Sequence, residues 1–402
     1  MSREKRDGEQ GDAAACDERE RGPARDETLA GAHGAILPAE REAGVRRALA
    51  SGIPPAAGRV TFAEAVRCGA MKLLIRILAA LALVTPAATP AGATSLAPLH
   101  GSTAVHTFGG VQVFSDRDPA TKRWHVVVRR DGQLAVPSIP TATKPIEVDV
   151  GPGADGGAVL AYVGCATACR VVVSRLDGSA PRTVPGSAGA SQPTIWRDQV
   201  AWVRGGAAVM TSTPDGRGRR ALAGAPRRKC YRLFAGAGRR CAPPQSANVD
   251  ALELQGSQLA LVDTFRLGKS AESVAEVRTE SIEGGAQRLV ALMDTGEGGQ
   301  TWIGPSWAKG RLFFYKSCFD DASACNGAAG GAFAFDPAHN AYSHAPSSTV
   351  LEGFAIDDDG QRAYEALSPR PSACGDVGAG PCELRLTGPL AFKPSRSQVR
   401  EP

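Results

Sequence analysis

Arg170-Val171-Val172-Val173-Ser174-Arg175-Leu176-Asp177-Gly178 is the stretch on which the reading of the chain turns. Three β-branched residues in a row suit the pleated surface of a sheet and lose rotamer freedom in a helix. Asp-Gly ends the run, and glycine supplies the positive φ that a tight hairpin turn requires. The same layout stands in Trp124-His125-Val126-Val127-Val128-Arg129-Arg130 before Asp131-Gly132, and in Val209-Met210-Thr211-Ser212-Thr213-Pro214 before Asp215-Gly216. Looser copies are Glu276-Val277-Arg278-Thr279-Glu280-Ser281 before Ile282-Glu283-Gly284-Gly285, Ala332-Phe333-Ala334-Phe335 before Asp336-Pro337, and Cys382-Glu383-Leu384-Arg385-Leu386. Upstream of each stands a small or apolar residue followed by a large apolar one: Val113-Phe114, Ala161-Tyr162, Ala201-Trp202, Ala260-Leu261, Phe313-Phe314 and Ala363-Tyr364.

These pairs recur at intervals of 40 to 59 residues. A strand-turn-strand unit repeating every ~40–50 residues has the period of a propeller blade, and the longer intervals carry cysteine loops or glycine-rich inserts. One small four-stranded sheet cannot keep both faces dry. Six of them packed radially cover each other and leave only short edges. The expected fold is therefore all-β, a six-bladed propeller of antiparallel four-stranded blades, with a pair of β-sandwiches as the competing architecture. Pro193-Thr194-Ile195-Trp196-Arg197-Asp198-Gln199-Val200-Ala201-Trp202 resembles the repeat of TolB-like and WD40-like propellers, and Asp357-Asp358-Asp359-Gly360-Gln361-Arg362-Ala363-Tyr364 matches its middle. The resemblance runs from Val111 to about Phe392, and the fourth and fifth units depart from it most. It implies a binding or scaffolding module.

Glycine (47) and proline (28) make up nearly a fifth of the 402 residues, against about 12% in average sequences. Aromatics are 5% and methionines number 4, which argues against a helical bundle. The net charge of +5 is too mild for a dedicated nucleic-acid binder. Residues 1–70 are polar and low in complexity, with no apolar period from which to build a buried face, so this segment is expected to be disordered. Met71-Lys72-Leu73-Leu74-Ile75-Arg76 then opens an apolar run that ends before Ala91-Gly92-Ala93. Cations, a short apolar core and small residues at the end form the secretory layout, so residues 71–93 read as a signal peptide and residues 94–402 as the propeller domain. A leader starting at an internal methionine suggests that translation begins at Met71 and that residues 1–70 are an over-extended gene start. The apolar run is too short for a transmembrane helix, which needs ~20 residues. The expected location is secreted or periplasmic, outside the cytoplasm.

Cysteine usage agrees with export. Beyond Cys16 and Cys68, the remaining cysteines fall into local pairs: Cys165/Cys169, Cys230/Cys241, Cys318/Cys325 and Cys374/Cys382. Even numbers grouped in twos on an exported chain read as disulfides closing short loops. None has the C-x₂-C spacing of a zinc knuckle.

The motifs that suggest chemistry are weak. Gly151-Pro152-Gly153-Ala154-Asp155-Gly156 fits G-x-G-x-x-G but is followed by a short strand, not a helix, and reads as a turn between blades. Gly268-Lys269-Ser270 ends like a P-loop, yet Asp263 replaces the required glycine. Asp357-Asp358-Asp359-Gly360 lacks the first ligand of a calcium loop and reads as a β-turn. Asp294-Thr295-Gly296-Glu297-Gly298-Gly299-Gln300-Thr301-Trp302 is a loosened Asp-box, which is a structural turn. No G-x-S-x-G elbow and no H-E-x-x-H pair occurs among His33, His100, His106, His125, His339 and His344. His100 and His106 read as solvated. Arg217, Arg219, Arg220, Arg227, Arg228 and Lys229 cluster beside the Cys230/Cys241 loop and form a candidate polyanion-binding patch, alongside the plainer reading of a solvated inter-blade loop.

The sequence thus predicts an exported, non-catalytic, monomeric binding propeller with no cofactor and no metal site. Its partner is a protein or an envelope polymer, met by loops at one end or by the central channel. The alternative is a propeller hydrolase or lyase at the channel mouth. Polar residues from several blades gathered around one buried pocket would favour that alternative.

Overall fold

The computed structural model describes residues 92–222, 230–231, 240–241, 247–266, 273–295, 300–318, 330–347, 349–367 and 382–396. All of them lie in the compact unit Ala79–Pro402. Among them every regular element is a strand, and no helix is long and apolar enough to cross a membrane.

The chain opens with β1 (Thr94–Leu99). Blade 1 is β2 (Val105–Phe108), β3 (Val111–Arg117), β4 (Trp124–Arg130) and β5 (Gln133–Ala135). Blade 2 is β6 (Val148–Pro152), β7 (Ala158–Cys165), β8 (Cys169–Arg175) and β9 (Arg182–Thr183). Blade 3 is β10 (Ala190–Trp196), β11 (Gln199–Arg204), β12 (Ala208–Ser212) and β13 (Arg220–Ala221). A small ribbon follows, β14 (Cys230–Tyr231) with β15 (Arg240–Cys241). Blade 4 is β16 (Asn248–Gln255), β17 (Gln258–Arg266), β18 (Ser273–Ser281) and β19 (Arg288–Asp294). Blade 5 is β20 (Gln300–Ala308), β21 (Arg311–Cys318), β22 (Gly331–Asp336) and β23 (Ala341–Pro346). Blade 6 is β24 (Leu351–Ile356), β25 (Ala363–Leu367) and β26 (Cys382–Thr387), completed by β1 lying antiparallel to β26. β27 (Lys393–Ser395) then adds a fifth, outer strand to blade 5.

The chain therefore forms the expected six-bladed ring of antiparallel blades, with one refinement: blade 5 has five strands where four were expected.

The small-large pairs sit on the second strand of every blade, and the packing explains them. Among the described residues the interior is not one core but six clusters, one at each blade-to-blade interface, with a small seventh within blade 4 around Phe265 and Val274. Adjacent residues on a strand point to opposite faces. Val113 packs toward blade 2 and Phe114 toward blade 6. Ala161, Ala201, Ala260 and Phe313 likewise face the following blade, while Tyr162, Trp202, Leu261 and Phe314 face the preceding one. The sixth pair is out of phase: Ala363 packs back toward blade 5 and Tyr364 toward blade 1.

The Asp-Gly turns fall where the sequence predicts them, between third and fourth strands. Asp131 and Gly132 both have positive φ (51° and 79°), the geometry of a two-residue hairpin turn. Gly151-Pro152-Gly153 is placed differently from expectation. Gly151 and Pro152 end β6, and Gly153 opens the turn into β7, inside blade 2, where the backbone folds straight back through the Gly153–Gly157 hydrogen bond. Cys165 and Cys169 are disulfide-bonded across the β7–β8 turn. Cys382 is also disulfide-bonded. The register of β14 and β15 sets the Cys230 and Cys241 backbones directly opposite. Cys318 ends β21, and Cys325 and Cys374 lie outside the described residues.

Candidate functional site

The first strand of each blade lines the channel, and its register selects the site. The residues paired with Val113, Ala161, Ala201, Ala260 and Phe313 are all polar: His106, Asp149, Thr194, Glu253 and Ser306. Some of them stitch one blade to the next. Thr194 Oγ1 accepts from the Leu254 N–H (3.0 Å), Ser306 Oγ from Ile356 (3.1 Å), and Asp149 Oδ2 from Ile195 (2.9 Å). Each satisfies a backbone donor that the ring geometry leaves unpaired and buried. A hydroxyl suffices for this work, as Thr194 and Ser306 demonstrate.

His106 and Glu253 do something else. They come from blades 1 and 4, on opposite sides of the ring, and meet beside Asp149 of blade 2. His106 Nδ1 lies 3.2 Å from Glu253 Oε2 and 3.3 Å from Asp149 Oδ1. Asp149 is fully buried, and the other two are nearly so. The charges sit where water cannot screen them, so their coupling is strong. Burial works against protonation of His106, but the hydrogen bonds and negative charge of Asp149 and Glu253 outweigh it and lift the imidazole to about 10. Burial and the Asp149 charge push Glu253 up to about 8, against the pull of His106. His106 is therefore not solvated, as its position near the start of the propeller suggested. Ring closure carries it inward.

The cluster bridges the channel between two cavities. The larger, about 350 Å³, lies at the end where the first strands begin and reaches His106. Ser102, Lys144, Glu147, Gln192 and Glu352 line its mouth. Ser102 Oγ donates to Glu352 (2.9 Å), and the Gln192 backbone N–H donates to Glu147 (2.6 Å). Burial raises the Glu147 carboxyl, with that hydrogen bond opposing. The smaller cavity, about 60 Å³, lies at the other end and is lined by Glu253, Trp196, Trp307 and Lys309, among others.

The residues singled out in the sequence lie elsewhere. Arg217 pairs with its neighbour Asp215 (2.6 Å), and Arg220 donates to the Glu283 carbonyl (3.3 Å). Arg219 sits at the exposed end of the same turn, and Arg227, Arg228 and Lys229 lie outside the described residues, as does Gly268-Lys269-Ser270. The centre of the Asp-box-like stretch also falls outside them. Asp357-Asp358-Asp359-Gly360 is the expected β-turn, and its carboxylates tie neighbouring turns together. Asp358 accepts from the Gly109 and Gly110 N–H groups (3.1 Å each), and Asp359 pairs with Lys309 (2.8 Å). His100 is held by Asp116 and stays partly exposed.

No protein-family model matches the chain, and no curated protein matches its sequence. Solved structures match in shape at low identity. The propeller domain of the trilobed protease from Pyrococcus furiosus is 10% identical, with a TM-score of 0.39, covering 75% of this chain and 100% of that one. The RRP9 WD40 repeats are 9% identical, with a TM-score of 0.43, covering 75% and 99%. A chain of the nidogen/laminin complex is 12% identical, with a TM-score of 0.39, covering 64% and 86%. These are likenesses in shape alone, and the six-bladed ring is read from this chain's own strand pairing.

Proposed function

We propose that the protein is an exported binding module that receives a polar group of a protein or envelope polymer in the mouth of its channel. The observation that carries this reading is the cavity of about 350 Å³ at that mouth, where both signs of charge, Lys144 against Glu147 and Glu352, stand on or beside strand starts. Small-ligand sites have this size and this concave, pre-formed character. Export is supported by the position of β1: its first residue, Thr94, immediately follows the small-residue segment at which a leader would be cut. Two measurements test the proposal. N-terminal mass spectrometry on fractionated cells is expected to find a chain starting near Thr94 outside the cytoplasm. An intact leader on cytoplasmic protein would refute export. A photo-crosslinking amino acid at position 144 is expected to capture a partner that the same group at exposed Lys122 does not; equal labelling at both sites would refute the binding mouth.

One observation favours the catalytic alternative: three ionisable groups from three blades converge in the channel, and one of them, His106, borders this cavity. In that reading the protein is a hydrolase or lyase, and His106 exchanges a proton with bound substrate. Turnover of a captured polymer that Glu253→Gln abolishes, with capture intact, would select it.

A further inference from the structure

We propose that His106, Asp149 and Glu253 form a binding site for one first-row divalent metal ion, best matched by zinc, with a coordination position left open toward the channel cavity. The inference goes beyond the binding reading above and does not depend on it.

The geometry comes first. Zinc bonds of about 2.0–2.2 Å in a tetrahedral set place neighbouring donor atoms about 3.3–3.6 Å apart. His106 Nδ1 already stands 3.3 Å from Asp149 Oδ1 and 3.2 Å from Glu253 Oε2. Two of the three donor–donor edges therefore have the length of a loaded site, and all three atoms lie within 4.8 Å of one another. A modest swing of the Glu253 carboxylate closes the third edge.

The donor chemistry comes second. One imidazole with two carboxylates is a mixed nitrogen and oxygen set, suited to zinc or manganese rather than to calcium, which takes six or more oxygens. Three protein donors leave one tetrahedral position open, and His106 borders the larger cavity from which water or a ligand group can fill it.

The support of the ligands comes third. Asp149 Oδ2 accepts from Ile195 N–H (2.9 Å), and Oδ1 accepts from Val150 N–H (2.7 Å), so the carboxylate is oriented before any ion arrives. Such outer contacts are what hold metal ligands in place. A purely structural role does not account for the charged groups. At the same register position Thr194 and Ser306 do the structural work with hydroxyls, and the acids and the histidine occur only where three blades can meet.

The test uses the full, untagged chain stripped with a chelator. Zinc chloride and manganese chloride are titrated separately by calorimetry, and X-ray absorption is recorded on the zinc-loaded protein. The expected result is one tight zinc equivalent, weaker manganese binding, and a first shell of nitrogen and oxygen donors. Glu253→Gln and His106→Asn are each expected to weaken zinc by about 100-fold or more, while His339→Asn, which removes an exposed histidine–aspartate pair, leaves it unchanged. Thermal unfolding of each variant confirms that folded proteins are being compared. If the variants fail to fold, the wild-type absorption spectrum decides alone. No zinc bound by folded wild type, undiminished binding in folded Glu253→Gln, or sulfur donors in the first shell would each overturn the proposal.

Discussion

Gly151 shows how tightly the blades are pressed together. A β-carbon there would overlap the carbonyl oxygen of Ile195 in the next blade, and backbone cannot swing aside as a side-chain tip can. Gly353 meets the Thr103 carbonyl, just ahead of blade 1, in the same way. Gly151→Ala is expected to cost about 1–3 kcal/mol, the usual penalty of overpacking, read from urea unfolding midpoints. Thr194→Val keeps the shape and removes the acceptor for the buried Leu254 N–H. The expected loss is about 1–3 kcal/mol, because the stranded donor bears its full desolvation penalty.

A second residue carries a pH signature. His344 stacks on Phe333 with ring centroids 4.2 Å apart. Burial lowers its pKa, the Gly330 carbonyl opposes this, and the Lys316 charge adds to the lowering. A base whose folded value lies below its unfolded one binds fewer protons when folded, so stability rises with pH between the two values. The contribution is complete above the unfolded value of about 6.5 and is lost as pH falls beneath it. Urea midpoints followed from about pH 7 down to about pH 5 are expected to decline less steeply in His344→Gln than in wild type. Equal slopes would show that the ring is not desolvated.

Among the elements, β1 has the largest consequence for its length. Its residues 94–99 pair with β26 and help cover Cys382 and Leu384 at the interface of blades 6 and 1. A chain beginning at Thr94 is expected to unfold cooperatively and run as a single species in size exclusion. A chain beginning at His100 leaves β26 as an open edge, a template for pairing with other chains, and is expected to aggregate. Equal behaviour of the two would mean that β1 is dispensable.

The elements also explain what the sequence disclosed. Second and third strands are apolar or β-branched on both faces because both faces are buried between blades, and Ala201-Trp202 or Val171-Val172-Val173 announces that plainly. First strands hide. Four of them carry register shifts, at Ser191/Thr194, Val249/Ala251, Ile303/Ser306 and Leu351/Gly353, which break the period of two. They also mix His106, Asp149 and Glu253 into apolar runs. Fourth strands such as β9 and β13 are two exposed residues long and have no pattern to read. The site was illegible for a related reason: its members sit singly on first strands of three blades, one of them register-shifted, and only closure of the ring brings them together. Nothing local to position 106 distinguishes a channel histidine from a surface one.

At the scale of the molecule, apolar packing is divided among six interfaces and the centre is left to polar groups. Apart from a small cluster within blade 4 around Phe265 and Val274, the apolar packing of each blade depends on its neighbours, and the channel can hold ionisable groups without weakening a central hydrophobic mass. The seam in blade 6 adds a matter of timing. Thr94 pairs with Leu386 and Leu99 with Cys382, so a segment leaving the ribosome early must wait for a partner synthesised almost at the end. The last step of assembly is therefore a long-range encounter that no partly made chain can complete, and a polypeptide bound for translocation would reach the membrane still open and threadable.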